Sequence, residues 1–333
     1  MPEAPAESSD TAHAPATTSI GALPDNSLIS LTGATGFIGT RLCEFLCARG
    51  TRVRALVRNP SAAQHLADLG VSLVAGDLDN PGALEELVAG ADAVIHGAGA
   101  VRGASQEDFD AVNVRGTGKL LAAIAAGAPG ARLLMLSSLT AREPGLSWYG
   151  HSKSDSEALL ANYPELDWIV LRPPAVYGPG DREMLPVFQA MARGVATVPG
   201  SPEARASLVY VSDLVEAMMT CLDTPQCRGE TLYLHDGQPG GYSWRDMADI
   251  AGQHWQRRVR LWCVPRWLLD AVAGINLALA RRTGRAPMLT PAKLRELRHP
   301  DWSVDNDRIS ALTGWKPRIK LRQGFELLEN STD

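Results

Sequence analysis

Apolar and polar positions along this chain change period in a regular order between residues 27 and 173. Six short apolar runs predict buried strands: "SLISLTG" (27–33), "RVRALVR" (52–58), "SLVAGDL" (72–78), "DAVIHGAG" (92–99), "RLLMLSS" (132–138) and "WIVLRP" (168–173). Between them, "TRLCEFLCARG" (40–50), "PGALEELVAG" (81–90), "SQEDFDAVNVRGTGKLLAAIAAG" (105–127) and "YGHSKSDSEALLANY" (149–163) have helical spacing. Strand-helix alternation of this kind predicts a doubly wound α/β fold, a parallel sheet with helices on both faces. The second half mixes helices with short strands such as "SLVYVSD" and "ETLYLHD", which predicts a smaller, mainly C-terminal lobe.

The turn after the first strand carries the first chemistry. In "TGATGFIG", Gly33, Gly36 and Gly39 fall where a strand runs into a helix. Glycine there admits unusual dihedrals and close approach of a ligand to the backbone. The helix N-terminus adds free N–H groups and a positive dipole end, which suit a pyrophosphate. Strand, glycine turn and helix together predict a Rossmann-type dinucleotide site. The division that follows is a disordered tail over 1–27, an NAD(P)-binding domain over 28–180 with strands contributed from about 205–236, and a substrate lobe over 181–330. An acid at the end of the second strand usually holds a free ribose 2'-hydroxyl, whereas arginine suits a 2'-phosphate. Here Arg58 stands near that strand end, no acid follows until Asp68, and Arg41 is a second basic candidate. NADP is therefore the expected cofactor, with NAD as the alternative. Asp77, in "AGDLD", is expected near the adenine or in a turn.

Composition narrows the partners. Lys+Arg 32 against Asp+Glu 37 leaves a net charge of -5, which argues against nucleic acid. Five cysteines with no Cys-x-x-Cys imply reduced thiols and a cytoplasmic setting. The first 27 residues are rich in Ala, Pro, Ser and Thr and lack Lys and Arg, unlike a secretory or transit signal. "VPRWLLDAVAGINLALARR" (264–282) is apolar but interrupted by Arg266, Asp270 and Asn276, too short a run for a span. A buried or pocket-lining helix is the leading expectation for it, and contact with a membrane surface the alternative. The histidines show no metal-ligand spacing, so no metal site is expected.

Tyr149 and Lys153 stand four apart in "YGHSK" and share a helix face. A phenol ionises near 10, too high for efficient proton transfer near neutrality, and an adjacent ammonium lowers that value. Ser138, ending the fifth strand, is placed to hydrogen-bond a substrate oxygen, with Ser137 as the fallback if the register shifts by one. The glycine loop, "SS" at 137–138, "YGHSK", "VNVRGTG" and "RPPAVYGPGD" (172–181) together resemble the extended short-chain dehydrogenase/reductase superfamily, over about residues 28 to 329. The resemblance implies a catalytic set of Ser138, Tyr149, Lys153 and Asn113. Lys153 would also hold the nicotinamide ribose, and Asn113 would support a water or a backbone kink in the proton relay. The cofactor contacts it implies are Gly33, Thr35, Gly36, Phe37, Ile38, Gly39, Arg41, Arg58, Asp77, Leu78, Gly97, Ala98, Tyr149, Lys153, Pro173 and Val176. A homodimer would suit the family.

The family contains sugar-nucleotide epimerases and dehydratases as well as ketone reductases. Sugar-nucleotide members usually carry Asn where this chain has Ala175, and Arg-Asp where it has Ala206 and Ser207, one position after Arg205. The segment "LWCVPRWLLDAVAGINLALA" resembles hydroxysteroid dehydrogenase and dihydroflavonol reductase relatives. Only 11 residues separate Ser138 from Tyr149, shorter than in typical epimerases, which opens one wall of the pocket. The expected function is an NADP-preferring oxidoreductase interconverting a secondary alcohol and a ketone on a bulky, apolar small molecule. A nucleotide-sugar epimerase or dehydratase with retained NAD, and a non-catalytic nucleotide-binding scaffold or sensor, are the alternatives.

Overall fold

The computed structural model describes residues 23–24, 26–283 and 289–330. Seven strands form one sheet: β1 (Leu28–Thr32), β2 (Arg52–Val57), β3 (Ser72–Ala75), β4 (Ala93–His96), β5 (Arg132–Leu136), β6 (Asp167–Arg172) and β7 (Glu230–Tyr233). All pairings are parallel and the order is β7-β6-β5-β4-β1-β2-β3. The chain starts mid-sheet, builds to one edge, then returns to β4 on the other side of β1. That reversal opens a crevice at the carboxyl ends of β1 and β4, where open α/β sheets bind ligands.

The helices that matter to the site are α1 (Phe37–Ala48), α2 (Pro81–Val88), α3 (Gln106–Asp110), α4 (Thr117–Gly127), α5 (Trp148–Ala158), α6 (Val211–Leu222), α7 (Arg266–Thr283) and α8 (Leu321–Asn330). Alternation along each strand sends side chains to opposite faces. Ile29, Leu31, Ala55, Ile95, Leu134 and Ile169 pack with Leu42 and Leu46 of α1 and Leu214 and Met218 of α6. Val94, Leu133, Met135 and Val170 pack on the other face with Leu84 and Leu87 of α2 and Leu120 and Ile124 of α4. Burial on both faces is why these strands read as nearly continuous apolar runs. A third cluster, around Tyr177, Phe188, Tyr210, Tyr242 and Phe325, holds the smaller lobe together and includes α8.

Three sequence expectations change in detail. The single helix expected over 105–127 is two α-helices joined by a π-turn, Ala111–Gly116. Gly116 sits so close to Leu78 that an added Cβ would come within 2.7 Å of its Cδ1, so the wider turn lies against the loop after β3. Residues 1–22 and 25 of the expected tail lie outside the described residues. Its end is ordered, with Leu23 against the core and the buried Ser27 hydroxyl donating to the Pro24 carbonyl at 2.6 Å. Helix α7 is peripheral rather than buried: only Ala273 and Ala280 of its residues are buried. No helix among the described residues is long and apolar enough to cross a membrane.

Candidate active site

The glycine turn is shaped by close backbone approach. Gly33 has φ +79°, and a Cβ there would lie 2.5 Å from the Gly97 carbonyl carbon and 2.6 Å from the Ala98 nitrogen, at the end of β4. A Cβ on Gly39 would lie 2.2 Å from the Gly33 oxygen. The turn can therefore fold flat on the strand ends only without side chains at these positions. Gly36 precedes α1 with extended dihedrals and no side chain caps the helix. The first-turn N–H groups of Phe37, Ile38 and Gly39 consequently have no intrahelical acceptor. Thr35 is exposed beside them. This cradle fits the pyrophosphate of a dinucleotide by shape and by dipole.

Ser138, Tyr149, Lys153 and Asn113 converge on the same crevice edge. Ser147 caps α5 by accepting from the Gly150 N–H at 2.9 Å, which starts the helix one residue before Tyr149. The Ser138 hydroxyl accepts from the Thr140 hydroxyl at 2.9 Å and lies near enough to the Tyr149 phenol to favour its ionised form. The Lys153 ammonium is buried and donates to the Leu136 carbonyl at 2.8 Å, at the end of β5. The Asn113 amide donates to the Ala100 carbonyl at 3.0 Å and the Ser152 hydroxyl at 2.8 Å, and its oxygen accepts from the Ala100 N–H at 2.7 Å. Asn113 thus ties the π-turn, the loop after β4 and the middle of α5 into one unit. π-Turns inside helices recur at functional sites, and here the turn carries this asparagine.

The electrostatics differ from the sequence expectation. Burial pushes the Tyr149 phenol up to about 12, against the opposing effect of the nearby Ser138 hydroxyl, and Glu296 adds to the rise. Burial brings Lys153 down to about 8, opposed by the Glu157 carboxylate. Spacing showed the ammonium on the same helix face but not that it turns to the Leu136 carbonyl.

Two groups that spacing did not reveal complete the site. Glu157, one turn beyond Lys153, accepts from Arg172 Nε at 3.0 Å and from the Ser137 hydroxyl. Ser137 is thereby engaged away from Tyr149, which leaves Ser138 as the serine beside the phenol. His96 ends β4, wholly buried. Its Nε2 meets the Thr117 hydroxyl at 2.8 Å, and that hydroxyl donates to the Asn113 carbonyl at 2.5 Å. Its Nδ1 meets the Thr32 hydroxyl at 2.7 Å, and that hydroxyl accepts from the Ala98 N–H at 3.2 Å. Each hydroxyl has one proton to give, so the pattern assigns the proton to Nε2. The ring links the cofactor turn to the π-turn. A histidine directly preceding Gly-Ala-Gly at a strand end was the available signal.

Burial, with Lys153 nearby, pushes His96 down to about 3. The unfolded chain protonates it below about 6.5. Above that pH it contributes no pH dependence; below it the unfolded state gains the proton and the fold does not, so stability falls with pH. From pH 7 to pH 5 the expected loss from this ring is about 2 kcal/mol. The unfolding free energies from urea titrations at the two pH values should therefore converge by that amount in His96→Gln, and an unchanged gap would exclude His96 as the source.

Around the expected adenosine end, Arg58 is exposed just past β2, with no hydrogen bond or ion pair among the described residues. Arg41 is engaged, donating to the Pro179 carbonyl at 3.1 Å and pairing with Glu44 at 2.7 Å. Asp77 is exposed and its carboxylate accepts from the Asp79 N–H at 2.9 Å, a turn contact, while Leu78 is buried beside it. On the far wall the Pro173 carbonyl accepts from the Leu139 N–H at 2.9 Å, and Val176 is partly buried. No cluster of metal-ligating side chains occurs among the described residues.

Known proteins place this arrangement. Residues 29–232 match the profile of the NAD dependent epimerase/dehydratase family. A ceramide reductase of Caulobacter vibrioides is 36% identical over 299 residues, covering 90% of this chain and 92% of that protein. A 2-alkyl-3-oxoalkanoate reductase of Stenotrophomonas maltophilia is 31% identical, covering 91% and 99%. In fold, the UDP-glucuronic acid 4-epimerase of Bacillus cereus, solved with UDP-glucuronic acid and NAD, superposes with a TM-score of 0.68 at 18% identity, covering 91% of this chain and 98% of that one. The chain belongs to the NAD dependent epimerase/dehydratase family and is an NAD(P)-dependent oxidoreductase of the extended short-chain dehydrogenase/reductase type.

Proposed function

We propose that this chain is an NADP-preferring reductase that converts a ketone on a bulky, lipophilic substrate to a secondary alcohol, with Tyr149 as the proton donor. The observation that carries this reading is the convergence of two hydroxyls, Ser138 and Tyr149, beside the glycine cradle with Lys153 one helical turn on. When bound, the nicotinamide supplies the hydride that reaches the carbonyl carbon. The Ser138 hydroxyl orients the carbonyl oxygen and steadies the negative charge that develops on it. Tyr149 is fully protonated near neutrality, since its phenol is pushed up to about 12, so it holds the proton that the oxygen must receive. Lys153, brought down to about 8, is a proton reservoir on the same helix face. Asn113 keeps the loop and α5 in register for these roles.

The lobe supports an apolar substrate over a sugar nucleotide. Ala175 packs against the lobe core and offers no side-chain hydrogen bond. Arg205 is engaged elsewhere: it donates to the Gly240 carbonyl at 2.6 Å and the Gly241 carbonyl at 2.9 Å, and pairs with Asp246 at 3.3 Å. Ceramide and 2-alkyl-3-oxoalkanoate reductases among the relatives support the same substrate class. The test is a panel of long-chain aliphatic 3-oxo compounds, steroid-like ketones, flavonoid-like ketones and UDP-glucose, with NADPH absorbance followed. Stoichiometric NADPH loss with a lipophilic ketone is expected. Interconversion of UDP-glucose without net NADPH loss would replace this reading with epimerisation.

The NADP preference rests on Arg58, the exposed cation at the end of β2. A charge-assisted contact to a 2'-phosphate is worth about 1.5–3 kcal/mol. Arg58→Ala should therefore raise KM for NADPH by roughly tenfold to a hundredfold and leave KM for NADH near its starting value. Equal changes for both cofactors would remove the assignment.

A further inference from the structure

Helix α7 turns its apolar side outward. Trp267 is 71% exposed, Ile275 60% and Leu279 53%, and Val272 is exposed with them. Trp262, on the strand Arg260–Cys263 that leads into the helix, is 59% exposed. The spacing of 267, 271, 275 and 279 puts one stripe along about 18 Å of helix. Soluble helices bury such a stripe and present charge to water. Here the stripe faces outward alongside the charges.

Charge around the stripe is as uneven as its polarity. Between residues 256 and 283 the sequence has six arginines, at 257, 258, 260, 266, 281 and 282, and a single acid, Asp270. Asp270 is already paired with Arg298 at 2.7 Å. This end of an otherwise acidic chain is therefore strongly cationic. Exposed apolar residues, tryptophans at one end and arginines flanking both ends form the pattern of a helix lying in a lipid headgroup layer. No described helix can cross a bilayer, so the contact would be superficial.

We propose that the outer face of α7, with Trp262, docks this protein on an anionic membrane surface. A second copy of the chain fits the same face less well, because a two-fold contact would bring equal arginine clusters together. The membrane assignment stands on the helix and its charge. Its link to catalysis rests on the reading above: Ala280 and Arg281 of α7 line a cavity of about 490 Å³ together with Trp148, which precedes Tyr149 in α5.

The experiment is flotation of the full chain with vesicles of phosphatidylcholine alone and of phosphatidylcholine with phosphatidylglycerol. Binding to the anionic vesicles, weakened by salt, is expected. The double variant Ile275→Glu/Leu279→Glu should bind them about tenfold or more weakly, with its melting temperature unchanged. Trp267 and Trp262 should give a blue-shifted fluorescence in the parent on the same vesicles. Absence of flotation, or equal flotation of the variant, would overturn the assignment. So would a parent dimer that becomes monomeric in the variant with no difference on vesicles, since the face would then be a self-interface. NADPH consumption with a water-soluble ketone reports separately on the reductase reading.

Discussion

Tyr149→Phe is expected to lower reductive turnover by about 10²–10⁴-fold while the protein still folds and still binds NADPH. The substitution removes one hydroxyl and keeps the ring, so the tilted contact with Phe109, at 6.2 Å between centroids, survives. Ser147 continues to cap α5, and Asn113 and Ser152 continue to hold its middle, because none of these bonds uses the phenol. What is lost is the one proton held against the Ser138 hydroxyl at the crevice edge. The alkoxide would have to take its proton from water. Cofactor titration by fluorescence, beside steady-state turnover, separates the two effects. A variant that binds NADPH and turns over like the parent would withdraw the acid role from Tyr149.

The largest expected stability effect lies at the opposite end of the sheet. Arg132 and Asp167, opening β5 and β6, form an ion pair at 2.9 Å with side chains 2% and 5% exposed. Arg132 also donates to the Leu222 carbonyl at the end of α6, so one guanidinium joins two strands to a helix. Arg132→Leu leaves the carboxylate of Asp167 buried without its cation. Removing one partner of a buried pair costs about 3–5 kcal/mol. Against a typical total of about 5–15 kcal/mol, that is a large share. Urea unfolding should show the loss, and Arg132→Leu/Asp167→Leu should recover much of it by removing the stranded charge. The pair is remote from Ser138 and Tyr149, so turnover per folded molecule should be retained. A single variant as stable as the parent would show that the pair is not holding the strands together.

The order of strands and helices was legible because burial on both faces of a parallel sheet leaves a strong apolar signal in "SLISLTG" or "RLLMLSS". The glycine cradle was legible for the same kind of reason: a Cβ at Gly33 or Gly39 would collide with backbone, so the local chain has to announce it. Tyr149 and Lys153 were readable as partners on one helix face through their spacing alone. Their proton affinities were not, since burial sets them, and burial depends on β5, β6 and the loop after β4 arriving from elsewhere. The same holds for choosing Ser138 over Ser137: adjacent residues on a strand end face opposite ways, and only the position of Glu157 shows which hydroxyl is already committed. The pattern within 264–282 determined a helix with few charges. Whether its apolar side turned in or out was decided by packing, because Ala273 and Ala280 are buried while Trp267, Ile275 and Leu279 are more than half exposed. Sequence by itself thus determined the elements and the chemistry that neighbouring residues carry. Tertiary structure decided protonation, the identity of the working serine and the outward face of α7, since each depends on groups distant in the chain meeting in space.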